Sequence, residues 1–243
     1  MEKMRFTVNG LEIDAQFSSK DRDDIFLPLL KKLSAMQAER GERLIVFLAA
    51  PPATGKSTLC CYLEKLSREY EGITPVQCAG LDGFHYPQKY LDSHSVYRNG
   101  EIVPLSRIKG APESFDVKGL KQKIAEAKAG NSCFPVYDRR LHDPVEDALK
   151  ITEKILIIEG NWLLLNEKPW DTLRCDYSVF IQSGGEENLE RIVRRKMMGG
   201  YSETEARRMV KENDRFNIIR CLKNSRRGDI NLTYNQTGEL EEI

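Results

Sequence analysis

The chain has 243 residues, long enough for one well-buried domain with insertions and too short to require two. Its 37 Lys plus Arg balance 37 Asp plus Glu, so no charge excess draws it to nucleic acid or an anionic membrane. The apolar runs 44–50 and 155–158 fall far short of the roughly 20 residues that span a bilayer, and MEKMRFTVNG lacks an apolar signal core, so the expected location is the cytoplasm.

Alternating residues over 5–8 and 11–17, joined by Asn9-Gly10, predict a β-hairpin with a primed turn. Residues 21–40 then read as a helix, with an apolar stripe through Leu29, Leu30, Leu33 and Met36, Pro28 in the first turn and Gly41 past the end. Hairpin and helix, residues 1–42, are expected to be an appendage to one domain whose core covers 43–233.

The segment RLIVFLAAPPATGKST, residues 43–58, carries the most information. Its apolar run 44–49 suits a parallel strand covered on both faces. Gly55, Lys56 and Ser57 match the end of the G-x-x-x-x-G-K-[ST] phosphate loop, in which glycine lets backbone approach an anion, lysine reaches the β- and γ-phosphates, and the hydroxyl binds Mg²⁺. Ala50, Pro51, Pro52, Ala53, Thr54, Gly55, Lys56, Ser57 and Thr58 are the expected nucleotide cradle. Ala50 stands at the first glycine position and Ala53 at another often held by glycine, leaving the backbone less free there. A strand-turn-helix corner that merely contains GKST is the structural alternative; the strand before and the helical 59–66 after favour phosphate binding.

Further along, we expect helix 56–70, strand 74–81, helix 117–129, short strand 133–137, strands 154–158 and 177–181, helix 186–198, a second helix from Glu203 and an edge strand near 229–233. Strands alternating with helices imply an α/β fold with a mostly parallel sheet flanked by helices. Residues 82–115, punctuated by Gly and Pro, are too long for a simple connector and read as a functional loop. Six Cys form no CxxC pair and three His are scattered, so no zinc spacing exists; the cysteines read as small buried residues of a reducing compartment.

Two carboxylates stand at strand ends, where an open parallel sheet forms its ligand crevice. Glu159 follows the run 155–158 and can hold Mg²⁺ or its waters. Asp82 lies 26 positions after Lys56, a separation that suits one helical crossover, which places it beside the loop as a group to orient and deprotonate an attacking hydroxyl. A turn-forming Asp before Gly83 is the bland reading, compatible with catalysis. Arg191, Arg194 and Arg195 recur at helical spacing before Gly199-Gly200; they read either as a lid that offsets phosphoryl charge or as a solvated basic face.

Together, APPATGKST, LDGFHYP, KGAPESFD, PVYDRRLH and ILIIEGNWLLL resemble the phosphoribulokinase, uridine kinase and type I pantothenate kinase superfamily of P-loop kinases, and most of all a bacterial nucleoside/nucleotide kinase-like or fructokinase-like branch, over residues 43–233. The resemblance implies ATP and Mg²⁺ as cofactors. It casts Asp82 as the catalytic aspartate, Glu159 as the metal-assisting acid, and a lid over about 186–213. Tyr137, Asp138 and His142 resemble a Tyr-Asp and His pattern that contacts the acceptor in uridine kinases, and His85 can also reach the acceptor or be satisfied by local packing. Arg139 occupies the place of an aromatic two positions after the Tyr, which disfavours base stacking and points to a polar or anionic acceptor. The implied activity is transfer of the ATP γ-phosphoryl group to a hydroxyl of a small metabolite, sugar-like by first choice. A nucleoside or pantothenate-type acceptor is the alternative, and a regulatory ATPase the rival from another class. No nucleic-acid or membrane partner is expected, and the chain is a monomer or homodimer.

Overall fold

The computed structural model describes residues 2–8, 11–98, 100–183 and 185–243. Strands β1 (Glu2–Val8) and β2 (Leu11–Phe17) pair antiparallel as expected, while the Asn9-Gly10 turn lies outside the described residues. A short helix α1 (Ser19–Asp21) runs through a π turn, Arg22–Phe26, into α2 (Leu27–Arg40), which ends at Gly41 in the left-handed region, φ 69°. Then follow β3 (Leu44–Ala49), α3 (Lys56–Glu69) and β4 (Val76–Gly80).

The long stretch after β4 is structured. It holds a single 3₁₀ turn at Leu81–Phe84, helix α4 (Gln88–Ser93), a small antiparallel hairpin of β5 (Ser95–Arg98) and β6 (Glu101–Pro104), and 3₁₀ turns at Leu105–Ile108 and Pro112–Ser114. Beyond it come α5 (Val117–Ala129), β7 (Ser132–Asp138), β8 (Asp143–Ile151), β9 (Ile155–Gly160), β10 (Tyr177–Gln182), α6 (Glu186–Met198) and α7 (Glu203–Met209). A second π turn, Val210–Asp214, leads to α8 (Arg215–Asn224), β11 (Ile230–Tyr234) and β12 (Leu240–Glu242).

The central sheet has the order β12-β11-β10-β3-β9-β4, parallel except for β12. β9 lies between β3 and β4, so Asp82 follows the second strand from β3. Two sequence expectations change here. The strand near 133–137 is outside the sheet: β7 pairs antiparallel with β8, forming an arm that the sequence pattern had left unread because β8 is mostly exposed and polar. The strand near 229–233 is not the edge, since β12 covers it.

All six β3 residues are buried, and their alternation serves both sheet faces. Leu44, Val46 and Leu48 join Leu30, Leu33, Tyr62 and Leu63 on one side; Ile45, Phe47 and Ala49 join Phe134, Trp162 and Phe180 on the other. Trp162 and Trp170 are core residues. The N-terminal segment belongs to the first cluster, with Phe17 stacked on Tyr62 at 4.0 Å and Asp21 accepting the Leu240 N–H at 2.9 Å. Among the described residues no helix is long and apolar enough to cross a membrane, and all six cysteines are free, two buried and four partly buried.

Candidate active site

The loop 50–55 must turn from the end of β3 into α3 within a few residues. It does so with Ala53 and Gly55 in the left-handed region, φ 61° and 94°. Glycine adopts this conformation freely, whereas an alanine there carries backbone strain of about 1 kcal/mol. Ala53 thus takes the left-handed conformation itself. The apolar cluster of Ile192, Val193 and Val210, on α6 and the second π turn, packs against Ala53, and the buried Asn188 donates to the Pro52 carbonyl at 3.1 Å. Tyr234 reaches the Thr54 carbonyl at 3.4 Å, and Thr54 itself is tied to Pro51.

Lys56 opens α3 and is 7 % exposed. Its Nζ donates to the carbonyls of Ala50 (3.0 Å) and Pro51 (2.9 Å) and to Asn161 Oδ1 (2.7 Å). Burial pushes the ammonium down from the ordinary lysine range, against the opposing charges of Glu159, Cys221 and Asp82. An ammonium held among neutral acceptors, with no carboxylate within 4.0 Å among the described residues, is poised for an anionic partner.

Ser57 Oγ donates to Glu159 Oε1 at 2.5 Å across β3 and β9. Burial pushes the Glu159 carboxyl up; Lys56 opposes this and Asp82 adds to it. The Glu159 carboxylate beside the Ser57 hydroxyl, with the charge of Asp82 within reach, offers the hard oxygen donors that Mg²⁺ favours alongside water and phosphate. The residues thus fit that ion, and Ser57 and Glu159 are the ones that would hold it.

Asp82 sits in the 3₁₀ turn after β4, one strand away from β3, yet near enough for its charge to act on Lys56, Glu159, Tyr137 and Arg139. Gly83 allows this turn to press against β7, because a Cβ there would lie 2.1 Å from the Pro135 carbonyl oxygen. His85 Nδ1 lies 2.9 Å from the Asp82 carbonyl, which can only accept, so Nδ1 carries the proton. Nε2 is then an acceptor, and it is buried without a partner among the described residues. Burial pushes this imidazole down, keeping it neutral.

Tyr137 ends β7 with its ring 5.4 Å from that of His85, its hydroxyl pushed up to about 12 by burial and then by Asp82. Arg139 is half-buried; burial and then Arg195 lower its guanidinium, while Asp82, Tyr137 and Glu159 oppose. His142 is placed differently. It has φ 55°, its side chain is exposed, and only its carbonyl is engaged, by Lys109 Nζ at 2.8 Å. Asp138 caps its own turn through the Arg140 and Leu141 amides.

The three arginines of α6 diverge. Arg195 acts on Lys56 and Arg139. Arg194 acts on Glu190, and Arg191 is paired with Glu187 on the exposed face while its charge also reaches Tyr234. Sequence reasoning passed over three participants. Asn161 stands two residues past Glu159 and could have been found by reading on from the strand end. Lys109 opens the KGAPESFD segment. Asn188 gives no sequence signal at all.

A strand, an anion-binding loop and a helix, with acidic residues at neighbouring strand ends, define a P-loop phosphotransferase. No family model matches the chain. It is 38 % identical over 239 residues to YggC, an uncharacterized Escherichia coli protein, covering 97 % of each. A Schizosaccharomyces pombe protein named provisionally as a uridine kinase is 32 % identical over 91 % of this chain and 93 % of its own length. The pantothenate kinase of Vibrio cholerae is 31 % identical over 70 % of this chain and 61 % of its own. Among solved structures, a Silicibacter protein described provisionally as a fructose transport system kinase superposes with a TM-score of 0.70 at 27 % identity, over 83 % of this chain and 98 % of that one. The chain belongs to the phosphoribulokinase, uridine kinase and pantothenate kinase superfamily of P-loop kinases. It is an ATP-dependent kinase that acts with Mg²⁺ on a hydroxyl group of a small molecule.

Proposed function

We propose that the acceptor is a sugar or sugar-like polar metabolite. The observation that carries this reading is Arg139, half-buried beside Tyr137 within the field of Asp82 and Glu159, where a base-stacking aromatic would make a nucleoside pocket. The likeness to the Silicibacter protein, provisionally tied to fructose transport, supports the same choice.

In this reading residues 1–243 act as one kinase domain and α6 to the second π turn serve as its lid. Loop amides of residues 53–58 and the Lys56 ammonium bind the triphosphate in the cradle that Ala50, Pro51 and Pro52 shape, with Arg191 at the loop's outer rim. Mg²⁺, held through Ser57 and Glu159, neutralises phosphate charge when bound. Asp82 orients the acceptor hydroxyl and takes its proton. Arg195 faces the developing charge from the lid, with Arg194 one position behind it. Tyr137, Arg139 and the neutral His85 line the acceptor side, and His142 joins them through its backbone placement or through movement of its turn.

ADP release at saturating ATP, measured across sugars, sugar derivatives, pyrimidine nucleosides and pantothenate, tests the proposal. Stimulation by a sugar or sugar derivative is the expected result. Stimulation by a nucleoside or pantothenate alone overturns the choice of acceptor, and release that no compound changes favours a regulatory ATPase.

A further inference from the structure

Several partly buried cations in this fold have an anionic partner, and Arg43 has its guanidinium bound instead by the carbonyls of Glu153, Ala127 and Gly130. Arg220 is held by Glu113 at 2.7 Å and Glu167 at 2.5 Å, and Lys196 faces Asp214 at 3.2 Å. Lys109 and Arg139 do not follow this pattern: among the described residues neither has a carboxylate within 4.0 Å. Lys109 Nζ is half-buried and spends two of its three N–H groups on neutral oxygens, Gln88 Oε1 at 2.9 Å and the His142 carbonyl at 2.8 Å. Arg139 is half-buried and makes no hydrogen bond among the described residues. Lys56 shows the same signature, and its anion is the nucleotide.

The two cations lie on one side of the site. Lys109 Nζ is 5.2 Å from the centre of the Tyr137 ring, and Arg139 stands in the turn directly after β7, where its charge acts with that of Lys109 on His85. The Lys109 charge reaches His85, whereas the charges that act on Lys56 come from Glu159, Cys221, Asp82 and Arg195. Lys109 therefore serves a place apart from the nucleotide phosphates. His85 Nε2, a lone-pair acceptor without a partner, adds a receptor for a hydroxyl proton.

We propose that Lys109 and Arg139 form an anion subsite on the acceptor side, so that the compound phosphorylated here is a polyhydroxylated molecule that already carries a phosphate or carboxylate group. Charge-assisted hydrogen bonds to two cations that are already desolvated recover much of the cost of burying them. The inference deepens the sugar-like reading and rests on it for the hydroxylated part of the acceptor.

Two measurements test it separately from turnover and through turnover. First, inorganic phosphate and acetate are titrated by calorimetry into full-length protein saturated with a non-hydrolysable ATP analogue. The expected result is saturable binding of one or both anions by the wild type, lost in the Lys109→Gln/Arg139→Gln variant, with affinity for the ATP analogue and melting temperature kept. No anion binding by the wild type, or equal binding by the variant, overturns the subsite. Second, ADP release is compared within matched sets of glucose, glucose 6-phosphate and gluconate, and of fructose, fructose 6-phosphate and fructose 1-phosphate. A preference of about tenfold or more in kcat/KM for an anionic member supports the proposal, and the member preferred distinguishes phosphate from carboxylate. Preference for the neutral parent overturns it. Anion binding without turnover of any compound leaves the subsite standing and removes the sugar-like acceptor instead.

Discussion

Gly83→Ala tests how the acid that would activate the acceptor is positioned. An added Cβ would stand 2.1 Å from the Pro135 carbonyl oxygen, 2.6 Å from its carbon and 3.1 Å from the Val136 nitrogen. All three are backbone atoms, so no side chain can rotate away. Restoring ordinary contact near 3.5 Å from 2.1 Å requires the 81–84 turn and β7 to separate by about 1.4 Å. Asp82 is the neighbour of Gly83, and Tyr137 lies two residues beyond Pro135, so this separation falls between the proposed base and the proposed acceptor side. A displacement of about 1 Å in a reacting geometry costs on the order of 10²-fold in rate. Overpacking should cost about 1–3 kcal/mol of stability, which lowers the melting temperature of a chain of this size by several degrees. ATP affinity should stay near wild type, since β3, the phosphate loop and α3 are not touched by the added atom. Steady-state ADP release, calorimetry with ATP and thermal melting measure the three quantities. A variant with wild-type kcat refutes the reasoning, as does one that loses ATP affinity in proportion to kcat.

Asp82→Asn should lower kcat by about 10²-fold or more with ATP affinity kept, because the amide fills the space but cannot take the hydroxyl proton; unchanged kcat in an ADP-release assay would return Asp82 to a turn-forming role. Lys56→Ala should nearly abolish turnover and weaken ATP binding without unfolding the chain, as judged by calorimetry and melting. Asn161→Ala removes one of the three acceptors that seat the Lys56 ammonium, so ATP affinity should fall about tenfold, and the effect should vanish in a Lys56→Ala background. Equal losses in both backgrounds would mean that Asn161 acts independently of Lys56.

Much of the donor side of the site was legible in the chain itself. The β3–loop–α3 unit is local: its apolar run, its GKST and its helix lie within 27 residues of contiguous sequence, Leu44 to Tyr70. Glu159 was readable for a similar reason, as a charge that interrupts a buried run. The N-terminal hairpin followed from alternation, and helix α6 from its amphipathic spacing. Such features depend on periodicity and on backbone chemistry at a few positions, which need no knowledge of distant contacts.

Strand order and the acceptor side required the folded chain. Nothing local states that β9, reached after α5 and the β7–β8 arm, inserts between β3 and β4. That insertion brings Glu159 to Ser57 and carries Asn161 to Lys56. The arm escaped the pattern because β8 exposes much of its length and has no buried alternation to read. Arginines at helical spacing look equivalent in the sequence, and only the fold brings the charge of Arg195 within range of Lys56 while Arg191 pairs with Glu187. Lys109 is an ordinary surface residue type, and only the lack of a carboxylate within 4.0 Å among the described residues, together with its position near Tyr137, marks it for an anion. A residue's type and neighbours in sequence set its local conformation, whereas its electrostatic partners come from segments that tertiary packing alone brings within a few ångströms.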